Sequence, residues 1–402
     1  DSLTIQPGTL IKFRGDFKFE VNGYISAVGT EADPIIFTSG MPSILEGDWK
    51  HIYLENAHNS KFMYCDFSFS ENGIFLNNSD STEISYCTFD RFLNDAIAIS
   101  DEGHNNNENL TISNNSISDV RRGVEIDNAR NSEFNFNEIE ASDIGIYCRD
   151  CDSTTFNNNE IYPPVSSFMS HGLWAEYSDM SEFSNNNLLG SNSHSIYFRN
   201  SSGGQVFNNV IADTNKQGEA NVNGGTWAIY HWEGNSENIT MVKNNVIHQE
   251  RRNSWNNAEG IHARHAEISD NNIKLRANRS TSGIYAEYSL VESNYIFAFS
   301  DGSNCNSINA GYYSLVQNNI VYAFGDQRGF TGGYRSKIQN NTFYATYSGE
   351  SPFHTEEGQV NYTNWNWAVR AEAEACTLLF NQFYDFQHGI YIDGRDAVVK
   401  NN

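Results

Sequence analysis

Basic residues are scarce in this sequence of 402 residues, where 25 Lys and Arg stand against 50 Asp and Glu and the formal net charge is −25. Nucleic acids and anionic membranes bind proteins through a surplus of Lys and Arg, so neither is expected as a partner. The sequence also lacks any run of 18 apolar residues that could cross a bilayer. Charged residues make up only 19% of the chain and hydrophobic residues 39%. That balance predicts a folded protein with a sizeable core and no membrane insertion.

The two ends of the sequence carry few signals. The first residues, Asp1–Ile5, have neither the basic nor the apolar region of a secretory signal peptide. We therefore expect a mature protein or a fragment. The last residues, Val398–Asn402, stop in the middle of the repeat described next, which predicts that the natural chain continues beyond residue 402.

A short unit, apolar-x-x-Asn-x-apolar, recurs along most of the chain, usually at intervals of about 22 to 27 residues. Such a period is typical of solenoid proteins. Two early copies carry Cys65 and Cys87 in place of Asn. A second unit, often opening with Gly as in Gly123–Ile126, lies between copies and alternates like a β-strand. The Asn positions are Asn115, Asn137, Asn159, Asn186, Asn209, Asn245, Asn271, Asn294, Asn318, Asn341 and Asn381.

These short strands, with no helical periodicity between them, predict an all-β fold, a right-handed parallel β-helix of about 13 coils. Equivalent positions stack in a solenoid, so the Asn side chains should form a hydrogen-bonded ladder at one turn. We expect one structural domain, with residues 1–47 as the N-terminal cap and first coils and residues 48–402 as the β-helix. Loops inserted between coils are predicted at Glu102–Asn109, Asp213–Thr226, Gln249–Asn257 and Tyr344–Trp365.

The N-terminal segments Leu3–Phe13, Val21–Thr30, Pro34–Ser39 and Trp49–Leu54 resemble the opening of secreted bacterial right-handed β-helix proteins of the pectin-lyase-like superfamily. The resemblance spans nearly the whole chain and implies both the fold and export to the cell surface or medium. It implies no single activity, because that superfamily includes lyases, hydrolases, epimerases, adhesins and phage tailspikes.

The chain has only 6 cysteines. Cys65 and Cys87 occupy equivalent positions one coil apart, so their Cα atoms should lie about 4.8 Å from each other, within the range of a disulfide. Two stacked buried thiols are the alternative, and the sequence leaves both open. Cys148 and Cys151 are close together but have no second pair or His cluster at zinc spacing, so no metal site is expected.

Outward positions of the Gly-opened strands carry aromatic rings flanked by charged groups. Rings stack on the C–H faces of sugars while carboxylates and guanidinium groups bind the hydroxyls, so these columns predict a glycan-binding groove. The alternative is a purely structural surface of stacked rings and ion pairs. The predicted glycan-binding residues are Trp174, Tyr197, Arg199, Tyr230, Trp232, Tyr285 and Glu287, with Trp255 adding ring area near the loops.

Two kinds of catalysis are open on the same strand face. Glu125 and Asp127 should lie roughly 6.6 Å apart by strand rise, a spacing compatible with glycoside hydrolysis. A polysaccharide lyase needs a base and a cation, which His262 and Arg264 could supply with help from nearby arginines. Those arginines are Arg199, Arg251 and Arg252. If the protein is an enzyme, the lyase is favoured over the hydrolase.

His231 has the opposite register and is expected to point inward as a core imidazole. No cofactor is required, although Ca²⁺ could bind carboxylates such as Asp150 and Asp152. The leading expectation is an exported β-helix rod that binds glycan or acts as an adhesive or structural surface element. A polysaccharide lyase or glycoside hydrolase, and a subunit of an extracellular filament, are the alternatives.

Overall fold

The computed structural model describes residues 2–100, 107–165, 168–213, 227–232, 238–251, 257–300, 304–324, 327–345, 367–371, 373–386 and 388–402. Strands and turns make up these residues, and no helix occurs among them. A helix long and apolar enough to cross a membrane is accordingly not found in this part of the chain. The described chain forms two compact units, the first at 2–191 and 196–204, the second at 192–195 and from 205 onward.

The first unit contains β1 (Ser2–Ile5), β2 (Leu10–Phe13), β3 (Phe19–Val21), β4 (Tyr24–Val28), β5 (Ile35–Ser39), β6 (Ile52–Glu55), β7 (Lys61–Met63), β8 (Cys65–Ser68), β9 (Ile74–Asn77), β10 (Glu83–Ser85), β11 (Thr88–Asp90), β12 (Asp95–Ser100), β13 (Asn107–Glu108), β14 (Thr111–Ser113), β15 (Ser116–Asp127), β16 (Ala129–Arg130), β17 (Glu133–Asn135), β18 (Glu138–Arg149), β19 (Thr155–Asn157), β20 (Glu160–Tyr162), β21 (Met169–Glu176), β22 (Glu182–Ser184) and β23 (Asn187–Leu189). The next strand, β24 (Ser191–Arg199), has residues in both units.

The second unit contains β25 (Gln205–Phe207), β26 (Val210–Ala212), β27 (Trp227–Trp232), β28 (Thr240–Lys243), β29 (Val246–Arg251), β30 (Asn257–Arg264), β31 (Ala266–Ser269), β32 (Asn272–Ala277), β33 (Ser280–Glu287), β34 (Leu290–Glu292), β35 (Tyr295–Ser300), β36 (Asn304–Ala310), β37 (Leu315–Gln317), β38 (Ile320–Phe324), β39 (Gln327–Gly332), β40 (Lys337–Gln339), β41 (Thr342–Tyr344), β42 (Trp367–Ala371), β43 (Thr377–Leu379), β44 (Gln382–Tyr384), β45 (His388–Ile392) and β46 (Val398–Lys400).

Within each unit, every strand pairs in parallel with its counterpart one coil away. Ile84 on β10, for example, pairs with Phe62 on β7 and with Ile112 on β14. Such parallel stacking of single coils is the predicted parallel β-helix, and the solenoid has about 15 turns rather than about 13. The 13 marked coils leave out β1 and β4, which have no Asn or Cys marker, and β46 at the C-terminal end.

The asparagine ladder is confirmed in both units. Asn137 Nδ2 donates to Asn159 Oδ1 at 3.0 Å and to the carbonyl of Ile112 at 3.0 Å, while Asn159 Oδ1 also accepts from the Asn137 backbone N–H at 3.0 Å. In the second unit Asn271 stands in the same relation to Asn245 and Asn294. Each amide is buried and satisfied by its neighbours, so the ladder fixes the register from coil to coil.

Cys65 and Cys87 are buried free thiols, so the structure has the second of the two arrangements considered and not the disulfide. The Cys87 Sγ–H donates to the carbonyl of Phe62 at 3.5 Å, and Cys65 Sγ to that of Ala27 at 3.3 Å. The side-chain amides of the ladder asparagines also donate to a backbone carbonyl of the preceding coil. Each thiol therefore makes the hydrogen bond that an Asn amide makes elsewhere, and its Sγ points toward that carbonyl. The disulfide instead joins Cys148 and Cys151, whose Cα atoms are 6.1 Å apart.

Two details of the predicted repeat are wrong. The ladder residue in the eleventh copy is Asn319, which bonds to Asn341, whereas Asn318 adopts the left-handed turn conformation with φ 58°. The supposed insertion at Gln249–Asn257 begins later than expected, because β29 continues through Arg251. Most of the other predicted insertions lie outside the described residues.

The core explains the Gly that opens many of the second units. A Cβ on Gly145 would collide with Ile161 Cγ2 and with the carbonyl of Gly172, so only Gly lets adjacent coils approach there. Large rings stack along the interior, as in Phe134, Phe156 and Phe183, whose centroids are 5.2 and 5.0 Å apart. Inward residues are therefore fixed by packing, and the alternate residues of each strand are free to carry function.

Candidate functional site

The outward residues of the Gly-opened strands align from coil to coil as predicted from the sequence. In the first unit Glu125 pairs with Tyr147, which pairs with Trp174. In the second unit Tyr230 pairs with His262, and His262 with Tyr285. Residues two positions further along each strand form a second column. The structure thereby divides the predicted glycan-binding residues between the two units.

In the second unit, β27, β30 and β33 bring together an aromatic group that we call the His262 cluster, consisting of Trp227, Tyr230, Trp232, His262 and Tyr285. The four ring centroids lie 5.1, 4.7, 5.1 and 4.4 Å from the imidazole centroid, in that order of residues. All five side chains are half-buried. Trp227 is the member that the sequence did not single out.

The imidazole of His262 is neutral and unsatisfied. Burial, aided by the charges of His194 and His231, lowers the pKa of His262 to about 4. Its Nδ1 and Nε2 atoms are both buried without a hydrogen-bond partner. A neutral imidazole has one donor and one acceptor nitrogen, and here both lack a partner. A base with so low a pKa removes a proton from carbon poorly, which favours binding over lyase chemistry here.

Charged groups border the cluster at the ends of β30 and β33. Arg264 Nε lies 3.8 Å from Glu287 Oε2, and its guanidinium stacks 5.5 Å from the Trp232 ring. Tyr285 donates its hydroxyl to Glu287 Oε1 at 2.7 Å. Burial and this bond raise the pKa of Tyr285, so the phenol keeps its proton. Arg264 is thus partly neutralised by Glu287, and its cationic role in the lyase hypothesis stays a prediction.

Arg251 does not assist His262 as the sequence suggested. It is 2% exposed and pairs with the buried Asp213, with 3.6 Å between Arg251 Nε and Asp213 Oδ2. Burial raises the pKa of Asp213 to about 6, against the opposing effect of Arg251. The pair is structural. Arg252 and Trp255 lie outside the described residues, and His231 is fully buried beside Thr240, as expected for a core imidazole.

In the first unit, Trp174 is the centre of a second ring group. The centroids of Tyr147, His171 and Tyr197 lie 5.4, 4.5 and 5.2 Å from that of Trp174. The indole Nε1 is buried without a hydrogen-bond acceptor.

The charged column beside this group is paired. Arg199 Nη1 lies 3.7 Å from Glu176 Oε1, and Arg149 Nε donates to Asp127 at 2.8 Å. These contacts match the ion-pair ladder considered as the structural alternative. The charges beside this ring group are therefore largely satisfied within the protein.

A third group consists of Asp95, Arg122 and Glu125. Of these three residues, only Glu125 was a candidate from the sequence. Arg122 binds Asp95 through Nε and Nη2 at 2.7 and 2.9 Å, and binds Glu125 through Nη1 and Nη2 at 2.7 and 2.5 Å. Burial and the charge of Asp95 raise the pKa of Glu125 to about 7, although Arg122 opposes the shift. Asp95 is buried, so Glu125 is the carboxyl group that can meet a ligand.

No group of three or more His, Cys, Asp or Glu side chains placed to hold a metal ion occurs in the described part of the chain. Asp152, one of the carboxylates considered for Ca²⁺, instead accepts a hydrogen bond from the backbone N–H of Asp179 at 2.9 Å. Asp152 Oδ2 also lies 3.6 Å from Arg130 Nε.

Comparison with known proteins gives a family and several solved structures. The family model described as "Right handed beta helix region" matches residues 50–163 and 104–250. No curated protein matches the chain. The surface protein and adhesin PfbA of Streptococcus pneumoniae is 10% identical, with a TM-score of 0.45 and coverage of 99% of this chain and 91% of that one.

Two further solved structures match nearly the whole of this chain. The A-module of the mannuronan C-5 epimerase AlgE6 of Azotobacter vinelandii is 11% identical, with a TM-score of 0.29 and coverage of 100% and 90%. The tailspike of E. coli bacteriophage HK620, solved as a mutant in complex with a hexasaccharide, is 13% identical, with a TM-score of 0.41 and coverage of 99% and 73%. Identities this low assign no function.

Proposed function

We propose that this chain, which belongs to the right-handed β-helix family, is a glycan-binding protein whose ligand lies across the His262 cluster. The observation that carries the proposal is the imidazole of His262, which is surrounded by rings and has both nitrogens buried without a partner. An unpaired buried polar atom costs about 1–3 kcal/mol, so a purely structural cluster gains nothing from this arrangement. Sugar hydroxyls both donate and accept, so two of them, one at each nitrogen, would satisfy the imidazole.

The surrounding side chains supply the other contacts that a sugar needs. Trp232 and Tyr285 present large half-buried rings for stacking on C–H faces. Glu287 is held by Tyr285 and Arg264, so its carboxylate is positioned before a ligand arrives. We further propose that the protein works outside the cell, at a surface or in the medium, where it attaches to polysaccharide without cleaving it at this cluster.

Replacing Trp232 by alanine should weaken glycan binding at least tenfold, which is about 1.4 kcal/mol, because it removes both a stacking ring and the support of Arg264. The measurement is isothermal titration with neutral and acidic oligosaccharides, beginning from the best ligand of a glycan panel. His262→Phe keeps the ring packing but removes the nitrogens, and should also weaken binding.

Tyr86→Ala is the matched control, since Tyr86 is a 48% exposed ring in the first unit that stacks on Tyr64 at 5.1 Å. Its affinity should equal that of the unmodified protein. Binding that survives both Trp232→Ala and His262→Phe would refute the proposed site, and a panel without any ligand would refute the function.

A second candidate function, glycoside hydrolysis in the first unit, is favoured by the raised pKa of Glu125, at about 7. A protonated Glu125 could donate to the glycosidic oxygen as the C–O bond breaks, while water adds to the anomeric carbon and gives its proton to Asp127. Glu125 and Asp127 lie on one face of β15, and a strand rise of about 6.6 Å over two residues suits an inverting reaction. Arg149 holds the Asp127 carboxylate in place.

Glu125→Gln should lower the release of reducing ends from a susceptible polysaccharide at least a hundredfold. In the unmodified enzyme the rate should fall as the pH rises through about 7, because Glu125 then loses the proton it must donate. Burial together with the neighbouring charges of Asp95 and Arg122 sets that value. The exposed carboxylate of Glu133 provides the control Glu133→Gln. Equal rates in the two variants, or no reducing ends from any polysaccharide, would exclude the hydrolase.

A further inference from the structure

Asparagine followed by glycine is the dipeptide most prone to lose the side-chain amide spontaneously. The backbone nitrogen of the glycine attacks the side-chain Cγ of the asparagine, and glycine has no Cβ to hinder that approach. The chain contains three such pairs, Asn22–Gly23, Asn72–Gly73 and Asn223–Gly224. The third pair lies outside the described residues. The other two belong to the first unit, and their surroundings differ.

The pair Asn22–Gly23 lies at the corner between β3 and β4. Asn22 is exposed and Gly23 is half-buried. Within the described part of the chain, the N–H of Gly23 donates no hydrogen bond. The hydrogen bond recorded for the Asn22 side chain runs from Nδ2 to Glu20 Oε1 at 3.2 Å, so it holds the nitrogen that would leave and not the carbon that is attacked. Nothing recorded at this corner therefore keeps the glycine nitrogen away from Cγ.

The pair Asn72–Gly73 is held by the neighbouring coils. Gly73 is buried, and its N–H donates to the carbonyl of Asp95 at 2.9 Å. Asn72 Oδ1 accepts from the backbone N–H of Asp95 at 3.2 Å. The backbone N–H of Asn72 donates to the carbonyl of Lys50 at 2.9 Å. The attacking nitrogen and the attacked side chain are thus both fixed, and reaction requires local opening of these bonds first.

We propose that Asn22 is a self-modifying site that converts to aspartate and isoaspartate, while the fold protects Asn72. The nitrogen of Gly23 loses its proton and bonds to Asn22 Cγ, the Cγ–Nδ2 bond breaks, and Nδ2 leaves with that proton as ammonia. Water then opens the five-membered ring. Opening at the side-chain carbonyl gives aspartate, and opening at the main-chain carbonyl gives isoaspartate. Water is the only co-reactant, and no oxidant or cofactor is consumed.

The isoaspartate product alters the corner that joins β3 to β4, because it places the Cβ carbon of residue 22 in the main chain. Val21 pairs with Leu54 on β6, and Ile25 pairs with Leu3 on β1. Val21 and Ile25 are 8% and 0% exposed, so packing fixes the chain on both sides of the corner. A longer connection strains both registers. Isoaspartate should therefore loosen β3 and β4, whereas aspartate adds only a surface charge.

The test is incubation of the folded protein in mildly alkaline buffer, followed by digestion and mass spectrometry of the peptides that contain Asn22 and Asn72. Amide loss should be at least about tenfold faster at Asn22 than at Asn72, because only Asn72 must wait for local opening. The rate at Asn22 should rise with pH, since the attacking nitrogen must lose its proton. In concentrated urea the two rates should become similar, because the bonds that protect Asn72 are then broken.

Two variants at the same position serve as controls. Asn22→Ser cannot form the ring, so labelling of the folded protein by a protein-isoaspartate methyltransferase should fall sharply in this variant. Freshly prepared Asn22→Asp carries the added charge on a normal backbone. Hydrogen exchange in β3 and β4 should be faster in the isoaspartate fraction of the aged protein than in Asn22→Asp. Equal exchange in the two samples would contradict the predicted loosening of the corner.

Several results would overturn the site itself. Equal rates at Asn22 and Asn72 in the folded protein would do so, as would an unchanged amide at Asn22. A product that contains aspartate without isoaspartate would exclude the ring intermediate. A rate difference that persists in urea would assign the selectivity to the neighbouring sequence and not to the fold. None of these results bears on the proposed glycan binding, because Asn22 and the His262 cluster belong to different units.

Discussion

Replacing Asn271 by alanine is expected to lower the free energy of unfolding by about 3 kcal/mol. The amide nitrogen of Asn271 donates to the carbonyls of Val242 and Ser269 and to Asn294 Oδ1, at 2.9 to 3.0 Å. Its oxygen accepts from the backbone and the side chain of Asn245, both at 2.9 Å. Truncation leaves several buried polar groups without partners, and each costs about 1–3 kcal/mol if it stays dry.

The measurement is urea unfolding followed by circular dichroism, with the slope of the transition compared between variants. Asn272→Ala is the control, because this half-buried amide lies beside the ladder and its Oδ1, although buried, accepts no hydrogen bond that truncation would break. That variant should stay within about 0.5 kcal/mol of the unmodified protein. If the ladder contributed only packing, Asn271→Ala and Asn272→Ala would lower the free energy of unfolding by equal and small amounts.

Replacing Arg251 by methionine is expected to cost about 3–5 kcal/mol of stability at pH 8. The change removes the only ion-pair partner recorded for Asp213 among the described residues, and both side chains are almost fully buried. The cost comes from the carboxylate left behind and not from the lost pair as such. Asp213 already has a pKa raised to about 6, above its usual 3.8, so ionising it inside the fold is unfavourable.

The pH dependence of that variant follows from the same shift. A carboxyl group whose pKa is raised by folding destabilises the protein increasingly as the pH rises above its unfolded value and through its folded value. Removing Arg251 raises the pKa of Asp213 further, so the loss in Arg251→Met should be small near pH 4 and grow toward pH 8. Thermal unfolding across this range is the measurement.

An exposed ion pair supplies the comparison for Arg251. Lys61 pairs with Glu83 at 2.9 Å, with 47% and 28% of the two side chains exposed. Lys61→Met should cost no more than about 1 kcal/mol and show little dependence on pH. The double variant with Asp213→Asn should recover much of the stability lost in Arg251→Met. If Arg251→Met and Lys61→Met lost equal amounts of stability, the buried Arg251–Asp213 pair would contribute no more than an exposed one.

The fold could be predicted because one physical requirement repeats along the sequence. A buried amide needs partners, and Asn at the same place in each coil provides them, so the ladder was visible without coordinates. The error at Asn318 has a simple cause: Asn318 and Asn319 are adjacent, and both fit an apolar-x-x-Asn-x-apolar pattern with their neighbours. Only the stacking on Asn341 decides between them.

The pairing of the cysteines could not be predicted from the sequence. Spacing alone placed Cys65 and Cys87 close enough for a disulfide, but it could not show that each thiol takes over an amide's bond to a carbonyl. The bonded pair, Cys148 and Cys151, lies around one turn and has no repeat signature. Pairing in a solenoid depends on where each side chain points, which spacing does not give.

The candidate site was predicted only in part for similar reasons. Alternation along the strands placed His262, Trp232 and Tyr285 on the outward face, and the structure brings them together. Arg122 was missed because its partner Asp95 lies 27 residues earlier and outside the outward column.

The most direct test of glycan binding at the His262 cluster is hydroxyl-radical footprinting with and without the best oligosaccharide of the panel, read residue by residue by mass spectrometry. Trp232, His262 and Tyr285 should become protected in the complex, while Tyr86 and Tyr177, exposed rings of the first unit, should label equally in both samples. Unchanged labelling of the His262 cluster in a sample that titration shows to be saturated would contradict the account.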